Sequence, residues 1–283
     1  MSSASSGTSK GTLCLGLYGT GRLATAMLRS LRGSCQLHLR ARDLVARDRL
    51  AAEFGVQPWE AGASPDLDLV YFAVADAAVP ELGLQLDAEL PEATAFVHAS
   101  GAWGPELFGD LPRRLGQLHP LRSLQAGARL QGTRFVARAP GELAPVLETL
   151  VAQLGGSLRL LQQLDTALYH AAAAMLANGV TALFAEALEL FQRASGGELT
   201  QEDAHGLLQT VCEGLAERSP EAVLTGPVRR ADLGVVERHL AALGEGEAAA
   251  LYRQLSLSLV RLAARAGSDA EPLRRIAERL RQD

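Results

Sequence analysis

The sequence predicts a doubly wound α/β domain followed by an all-helical one. Three observations predict it. Residues 12–31, TLCLGLYGTGRLATAMLRSL, run from a short apolar segment through a glycine turn into a helix-forming stretch. Strand-like and helix-like segments then alternate, which implies a largely parallel sheet. From residue 164 onward the apolar periodicity is helical and no strand pattern returns. The expected organisation is a small, polar, disordered tail at residues 1–10, an α/β domain at 11–163 and a helical domain at 164–283.

The glycine turn has the spacing Gly19-x-Gly21-x-x-Ala24 after an expected buried strand at 12–16. Gly19 permits a backbone turn that a β-carbon obstructs. Gly21 lets the chain approach a pyrophosphate closely, and Ala24 is small enough for the helix to pack on the strand. Free N–H groups and the helix dipole then face the phosphates. This is the fingerprint of a Rossmann dinucleotide-binding unit, and it assigns Gly19, Thr20, Gly21, Arg22, Leu23 and Ala24 to the cofactor. A purely structural strand-to-helix turn has the same glycines. The strand before, the helix after and a second strand at the right distance favour the cofactor.

The remaining elements follow in order. Strand two is expected at 36–40, and a helix at 44–54 stops at Gly55. Val56 begins a short third strand, and 67–74, LDLVYFAV, is the strongest buried strand. Asp76 is placed to cap a helix at 77–90. Strands are expected at 94–98, 115–118, 135–137 and 158–161, with a helix at 142–154. One long helix is expected at 165–194, ended by Gly196-Gly197. Thr200 with Asp203 forms a capping-box pattern, and further helices are expected at 232–243, 245–266 and 271–280.

Strand two ends in Arg40-Ala41-Arg42-Asp43, about twenty residues past the glycines, where an NAD site usually carries an acidic residue. Arg40 and Arg42 suit a 2′-phosphate, so NADP is expected over NAD, with Asp43 read as a helix cap. Two solvated arginines are the alternative. In an open α/β sheet the ligand lies beyond the carboxyl ends of the strands. That edge receives Val74, Ser100 and His119. His119 can exchange a proton near neutral pH, and Ser100 can bond the nicotinamide or a substrate oxygen. A structural histidine before the Pro120 turn is the competing reading. His98 is expected to point into the sheet. His170, Ala174 and Asn178 are four apart on the long helix and share a face, where a catalytic pair and a polar helix contact are both possible readings. His205 and His239 are expected at the surface.

Composition limits the rest. A net charge of −5 gives no basic field, which argues against nucleic acid. The three cysteines, Cys14, Cys35 and Cys212, form no C-x-x-C pair, so neither a metal site nor a disulfide framework is expected, and a reducing cytoplasm fits. No run is read as long enough to cross a membrane. Lys10 is the only lysine, so lysine acid, base or Schiff-base chemistry is not expected.

Four features carry a resemblance: the Gly19 to Ala24 loop; His98-Ala99-Ser100-Gly101-Ala102 followed by His119-Pro120; Tyr169-His170 leading to Asn178; and Thr225-Gly226-Pro227. The chain resembles the uncharacterised proteins with an N-terminal Rossmann-like domain and a helical C-terminal domain of unknown function. Those are similar in architecture to 6-phosphogluconate dehydrogenase-like reductases, including ketopantoate reductase, pyrroline-5-carboxylate reductase and prephenate dehydrogenase. The resemblance implies an NADP-dependent oxidoreductase acting on a small carbonyl or hydroxy acid, and a homodimer built on the helical domain. Several relatives use a Lys-x-x-x-Asn pair on the first long helix; if Asn178 is that asparagine, Ala174 stands where the lysine belongs. His119 with Ser100 is similar instead to the prephenate dehydrogenase arrangement. Arg122 and Arg229 are candidates for a substrate carboxylate. A non-catalytic NADP-binding sensor or scaffold is the alternative function.

Overall fold

Eight strands form one sheet in the order β3-β2-β1-β4-β5-β6-β7-β8 in the computed structural model, which describes residues 12–282. The strands are β1 (Cys14–Tyr18), β2 (Gln36–Arg40), β3 (Gln57–Pro58), β4 (Leu69–Phe72), β5 (Ala95–His98), β6 (Leu115–Pro120), β7 (Arg134–Arg138) and β8 (Ser157–Leu160). Every neighbouring pair is parallel except β6 with β7. Strand order reverses between β1 and β4, which creates the crevice where such sheets take their ligands.

The strongest apolar run explains why the sheet is buried on both faces. In β4, Leu69 and Tyr71 enter one core while Val70 and Phe72 enter the other. The first core is filled by Met27, Leu28 and Leu31 from α1 (Arg22–Leu31), Leu50 and Phe54 from α2 (Leu44–Phe54), and Leu147 and Leu150 from α4 (Ala144–Gln153). The second holds Trp59, Phe96 and Phe108, with Val79 and Leu86 from α3 (Val79–Asp87). Each fully buried leucine or phenylalanine side chain contributes about 1.5–3 kcal/mol. The Tyr71 hydroxyl, which this burial strips of water, donates to the Leu118 carbonyl at 2.6 Å.

The chain divides into two compact units, the first running to Asn178 and the second from Gly179. Sequence periodicity separates strands from helices near residue 164, whereas the contacts keep α5 (Thr166–Ala174) with the sheet. Asp165 caps α5 by accepting from the Leu168 N–H. A π turn at Met175–Gly179 follows, and then α6 (Val180–Ser195). The second unit continues with α7 (Gln201–Glu217), α8 (Pro220–Val223), α9 (Gly226–Arg229), α10 (Leu233–Leu243), α11 (Glu247–Arg265) and α12 (Ala270–Arg281). Its core joins Val228, Val236, Leu240, Ala263, Leu273, Ile276 and Leu280. The capping box at Thr200 and Asp203 is present as the sequence implies.

Three expectations change. The first strand starts two residues later than the apolar run does. Asp76 does not cap a helix: it opens a short 3-10 turn, and its carboxylate accepts the Ser100 hydroxyl. The helical stretch Thr166–Ser195, with a mean hydropathy of 1.5 in its most apolar window and none of that window buried, is long and apolar enough by length and composition to cross a membrane. No charged residue occurs from Thr166 to Ala185, although alanines, His170 and Asn178 dilute the run. The expected tail at residues 1–10, with Lys10, lies outside the described residues.

Candidate active site

A cleft of about 980 Å³ opens at the strand-order reversal. The loop after β1, the end of β2 and the loop after β4 line it, through Gly19 to Leu23, Arg40 to Asp43 and Ala73 to Asp76. Gly19 has φ of +129°, and a β-carbon there would lie 2.4 Å from the Ala73 carbonyl oxygen. Only glycine accommodates both constraints. Gly21 differs in kind: its φ is ordinary, and a β-carbon would meet nothing within 4 Å. The space above it is therefore a cradle that a side chain would fill. Gly21 is also the N-cap of α1, and no side chain caps that helix. Ala24 is fully buried against the sheet. These features fit a dinucleotide pyrophosphate.

The arginine reading needs revision. Arg40 lies at the cleft wall but is only 4% exposed. Its guanidinium makes a two-point ion pair with Glu89, and its carbon stacks on the Trp59 ring at 5.1 Å and the Tyr18 ring at 5.8 Å. Glu89 also accepts from the Gly62 N–H and the Gln85 amide. The hydrogen bonds from Arg40 hold its carboxyl below the usual carboxylate range. Arg40 is thus a wall of the cleft, not a free phosphate ligand. Arg42, exposed at the same edge, remains available. Asp43 does cap α2, accepting from the Ala46 N–H at 3.0 Å.

Ser100 is similarly occupied. Its hydroxyl donates to Asp76 at 2.8 Å and accepts from the Ala102 and Trp103 N–H groups. Its carbonyl accepts from the buried Gln117 amide. Ser100 builds the 99–104 loop, and the hydroxyl that the sequence directs to nicotinamide or substrate is bonded to Asp76 here. His98 is fully buried, as expected; one ring nitrogen pairs with the Gly104 carbonyl at 2.8 Å, and the other accepts from the Ser100 N–H. Burial pushes its pKa down.

His119 stands near the end of β6, paired with Val136 across to β7. Its Nδ1 lies 2.8 Å from the Tyr169 hydroxyl, and the two rings are perpendicular. Its Nε2 faces Gly101, where a β-carbon would lie 2.9 Å away. His170 approaches the same glycine, its Nδ1 2.6 Å from that missing β-carbon. The centroids of the two imidazoles are 6.0 Å apart. Burial lowers the His119 pKa to about 4; neighbouring His170 adds to the shift and Asp76 opposes it. His119 is accordingly a neutral imidazole at pH 7.

Asn178 lies in the π turn and is exposed. Eight α-helical residues would set it about 80° round from His170. A π turn advances by about 85° per residue, which brings Asn178 back toward the His170 face. His119 and His170 are therefore brought together, whereas Ser100 is turned away to Asp76. His205 and His239 are exposed, as expected. The two carboxylate candidates are otherwise engaged. Arg229 binds the Ser268 hydroxyl and the Ala266 carbonyl. Arg122 binds the Gln131 carbonyl and the Thr133 hydroxyl.

Three residues were given no role in this site from the sequence, although Gly101 and Tyr169 stand in motifs that carry the resemblance. Glu89 pairs with Arg40 across 49 positions, a separation no local pattern signals. Gly101 is unremarkable in sequence because its constraint is a contact with two distant rings. Tyr169 had one available signal, a hydroxyl one residue before His170 in a stretch of alanines.

Residues 133–259 match a family model described as a domain of unknown function, DUF2520. No curated protein sequence matches. Among solved structures, protein TM1727 from Thermotoga maritima is 22% identical with a TM-score of 0.66, covering 95% of this chain and 100% of its own. A pyrroline-5-carboxylate reductase from Coxiella burnetii is 16% identical with a TM-score of 0.60, covering 96% and 100%. A reductive aminase from Aspergillus terreus, solved with NADPH and ethyl-5-oxohexanoate, is 16% identical with a TM-score of 0.59, covering 95% and 92%. At such identities the likeness is one of fold. The chain has a Rossmann-like fold with a helical C-terminal region, and residues 133–259 are similar to the DUF2520 model.

Proposed function

We propose that this protein is an NADP-dependent oxidoreductase that transfers hydride to or from a small carbonyl compound or hydroxy acid. The observation that carries the reading is the open space over Gly21 at the uncapped start of α1, inside a cleft large enough for a dinucleotide. The glycine loop would hold the pyrophosphate, and Arg42 would hold the 2′-phosphate in place of Arg40. A bound dinucleotide supplies or accepts the hydride. The chain's own part would be proton handling, and we assign it to His119, whose Nδ1 meets the Tyr169 hydroxyl and whose Nε2 faces Gly101. His170 and Asn178 would orient the substrate on the same side. The fold neighbours that bind NADPH or reduce pyrroline-5-carboxylate are consistent with this reading.

The non-catalytic sensor has one observation in its favour: the position of the relatives' lysine is occupied by Ala174. One experiment separates the two. Purified protein is titrated with NADPH and, separately, with NADP+; a panel of 2-keto acids and cyclic imines is then added to the first sample and one of hydroxy acids to the second while nicotinamide absorbance is followed. Oxidation of NADPH by one carbonyl member supports the enzyme. Tight binding with no turnover on any member supports the sensor.

A further inference from the structure

We propose that Tyr169 is the proton source behind His119: as the substrate oxygen takes the proton on His119 Nε2, Nδ1 takes the proton of the Tyr169 hydroxyl. This inference rests on the reductase reading above and adds a residue to its chemistry. The geometry sets out the path. Tyr169 Oη and His119 Nδ1 are 2.8 Å apart, so one shared proton joins them. The opposite nitrogen, Nε2, makes no hydrogen bond among the described residues and lies against the bare Cα of Gly101. The Tyr169 hydroxyl is carried on the first turn of α5, which Asp165 caps and whose Tyr169 N–H is bonded to the Asp165 carbonyl. The donor atom is thus mounted on α5, and the relay and delivery atoms on β6 beside the 99–104 loop, all within one compact unit.

The relay also answers a difficulty. A reduced carbonyl becomes an alkoxide and needs one proton. With a pKa of about 4, His119 is protonated in only about one molecule in a thousand at pH 7, so imidazolium is a scarce acid. Neutral imidazole avoids this shortage if it gives one proton as it receives another. In the step, a bound reduced nicotinamide would supply hydride to the carbonyl carbon. The Nε2–H bond breaks and an O–H bond forms on the substrate. The Tyr169 O–H bond breaks and an Nδ1–H bond forms. Imidazole stays neutral throughout, and the phenolate regains its proton from water. Burial raises the Tyr169 pKa, yet an alkoxide is a far stronger base than a phenolate, so the transfer runs downhill. Two other titratable groups bear on His119: His170 on α5, and Asp76 beyond β4.

The mechanism demands one tautomer, with hydrogen on Nε2 and a bare Nδ1. Long-range proton–nitrogen correlation NMR on the full chain, labelled with ¹⁵N-histidine, reads that tautomer without any substrate. The expected result at pH 7 is Nε2–H in the wild type and a mixed tautomer in Tyr169→Phe. With an active carbonyl substrate, Tyr169→Phe should lower kcat about 100-fold while leaving the Kd for NADPH and the melting temperature near wild type. A proton on Nδ1 overturns the relay and leaves the reductase reading intact. So does a Tyr169→Phe enzyme that keeps full kcat. If the wild type reduces no carbonyl compound, the reductase reading fails and takes the relay with it, whichever nitrogen carries the proton.

Discussion

Arg40 and Glu89 close a two-point ion pair at the wall of the nucleotide cleft, with Nη2 donating to Oε1 at 3.0 Å. The pair fixes what each arginine of the Arg40-Ala41-Arg42 stretch is free to do. Arg40→Ala leaves Glu89 unpaired in a largely buried place and should cost about 3 kcal/mol of stability, seen as a lower midpoint in urea. Arg42→Ala should leave stability within about 0.5 kcal/mol and weaken NADPH binding about 10- to 100-fold, with NADH binding little changed. Equal loss for both nucleotides in Arg42→Ala would remove it from the 2′-phosphate site.

The two loop glycines should fail in different ways. Gly19→Ala forces a β-carbon onto the Ala73 carbonyl at a φ that L-residues rarely adopt, so about 2 kcal/mol or more of stability should go. Gly21→Val meets open space, so the fold should persist while both nucleotides lose binding. Circular dichroism melts beside nucleotide titrations distinguish the two. A Gly21→Val protein that still binds NADPH normally would locate the pyrophosphate elsewhere.

His119 should govern turnover without governing cofactor affinity. His119→Asn keeps some hydrogen bonding but loses proton transfer near neutrality, and kcat should fall about 10²- to 10⁴-fold. The Kd for NADPH should stay within about threefold, since the phosphates lie on the Gly19 to Ala24 loop. A variant with full turnover and a lowered melting temperature would make His119 structural.

The same residue should shape stability in acid. Its pKa is about 4 folded, against the ordinary value of 6.5 unfolded. Between these values the unfolded chain binds the extra proton, so stability falls as pH drops from about 6.5 to about 4, by on the order of 3 kcal/mol in all. Above pH 6.5 the group is neutral in both states and contributes no slope. Urea midpoints measured across this range should show a shallower acid limb for His119→Asn than for the wild type, and parallel limbs would contradict the assignment.

Leu168, Met175 and Leu176 are 69–76% exposed on the apolar stretch Thr166–Ser195. We expect this surface to pair with a second copy of the chain, giving a mass twice 29.9 kDa by light scattering at micromolar concentration. Leu176→Glu should shift the population toward monomer. A monomeric wild type that floats with lipid vesicles would instead make this stretch a membrane segment.

Local chemistry made much of the fold legible. The β2 and α2 boundaries, the Gly55 stop and the Thr200 capping box all follow from side chains within a few residues of the feature. The glycine loop was legible for the same reason: strand, turn and helix are contiguous. The reassignments of Arg40, Ser100 and Asp76 were not, because each depends on a partner at least 24 residues away. Arg40 illustrates the limit. Alternation along QLHLR places it opposite Leu37 and Leu39, but only the folded sheet brings Trp59, Tyr18 and Glu89 around it. The π turn had a local mark, Asn178-Gly179, which neither flanking helix contains, but that pair does not by itself tell a π turn from a continuing helix or a break.

Gly101 joins the buried interior to the reactive edge as a lever joins handle to blade. Both imidazoles rest on its bare Cα, so their separation follows the backbone of the 99–104 loop. That backbone is pinned from inside by His98, which holds Gly104 and Ser100, and by Gln117, which holds the Ser100 carbonyl. A substitution at His98 or Gln117, neither of which has any exposed surface, therefore reaches the proton chemistry by moving the rest on which the rings sit.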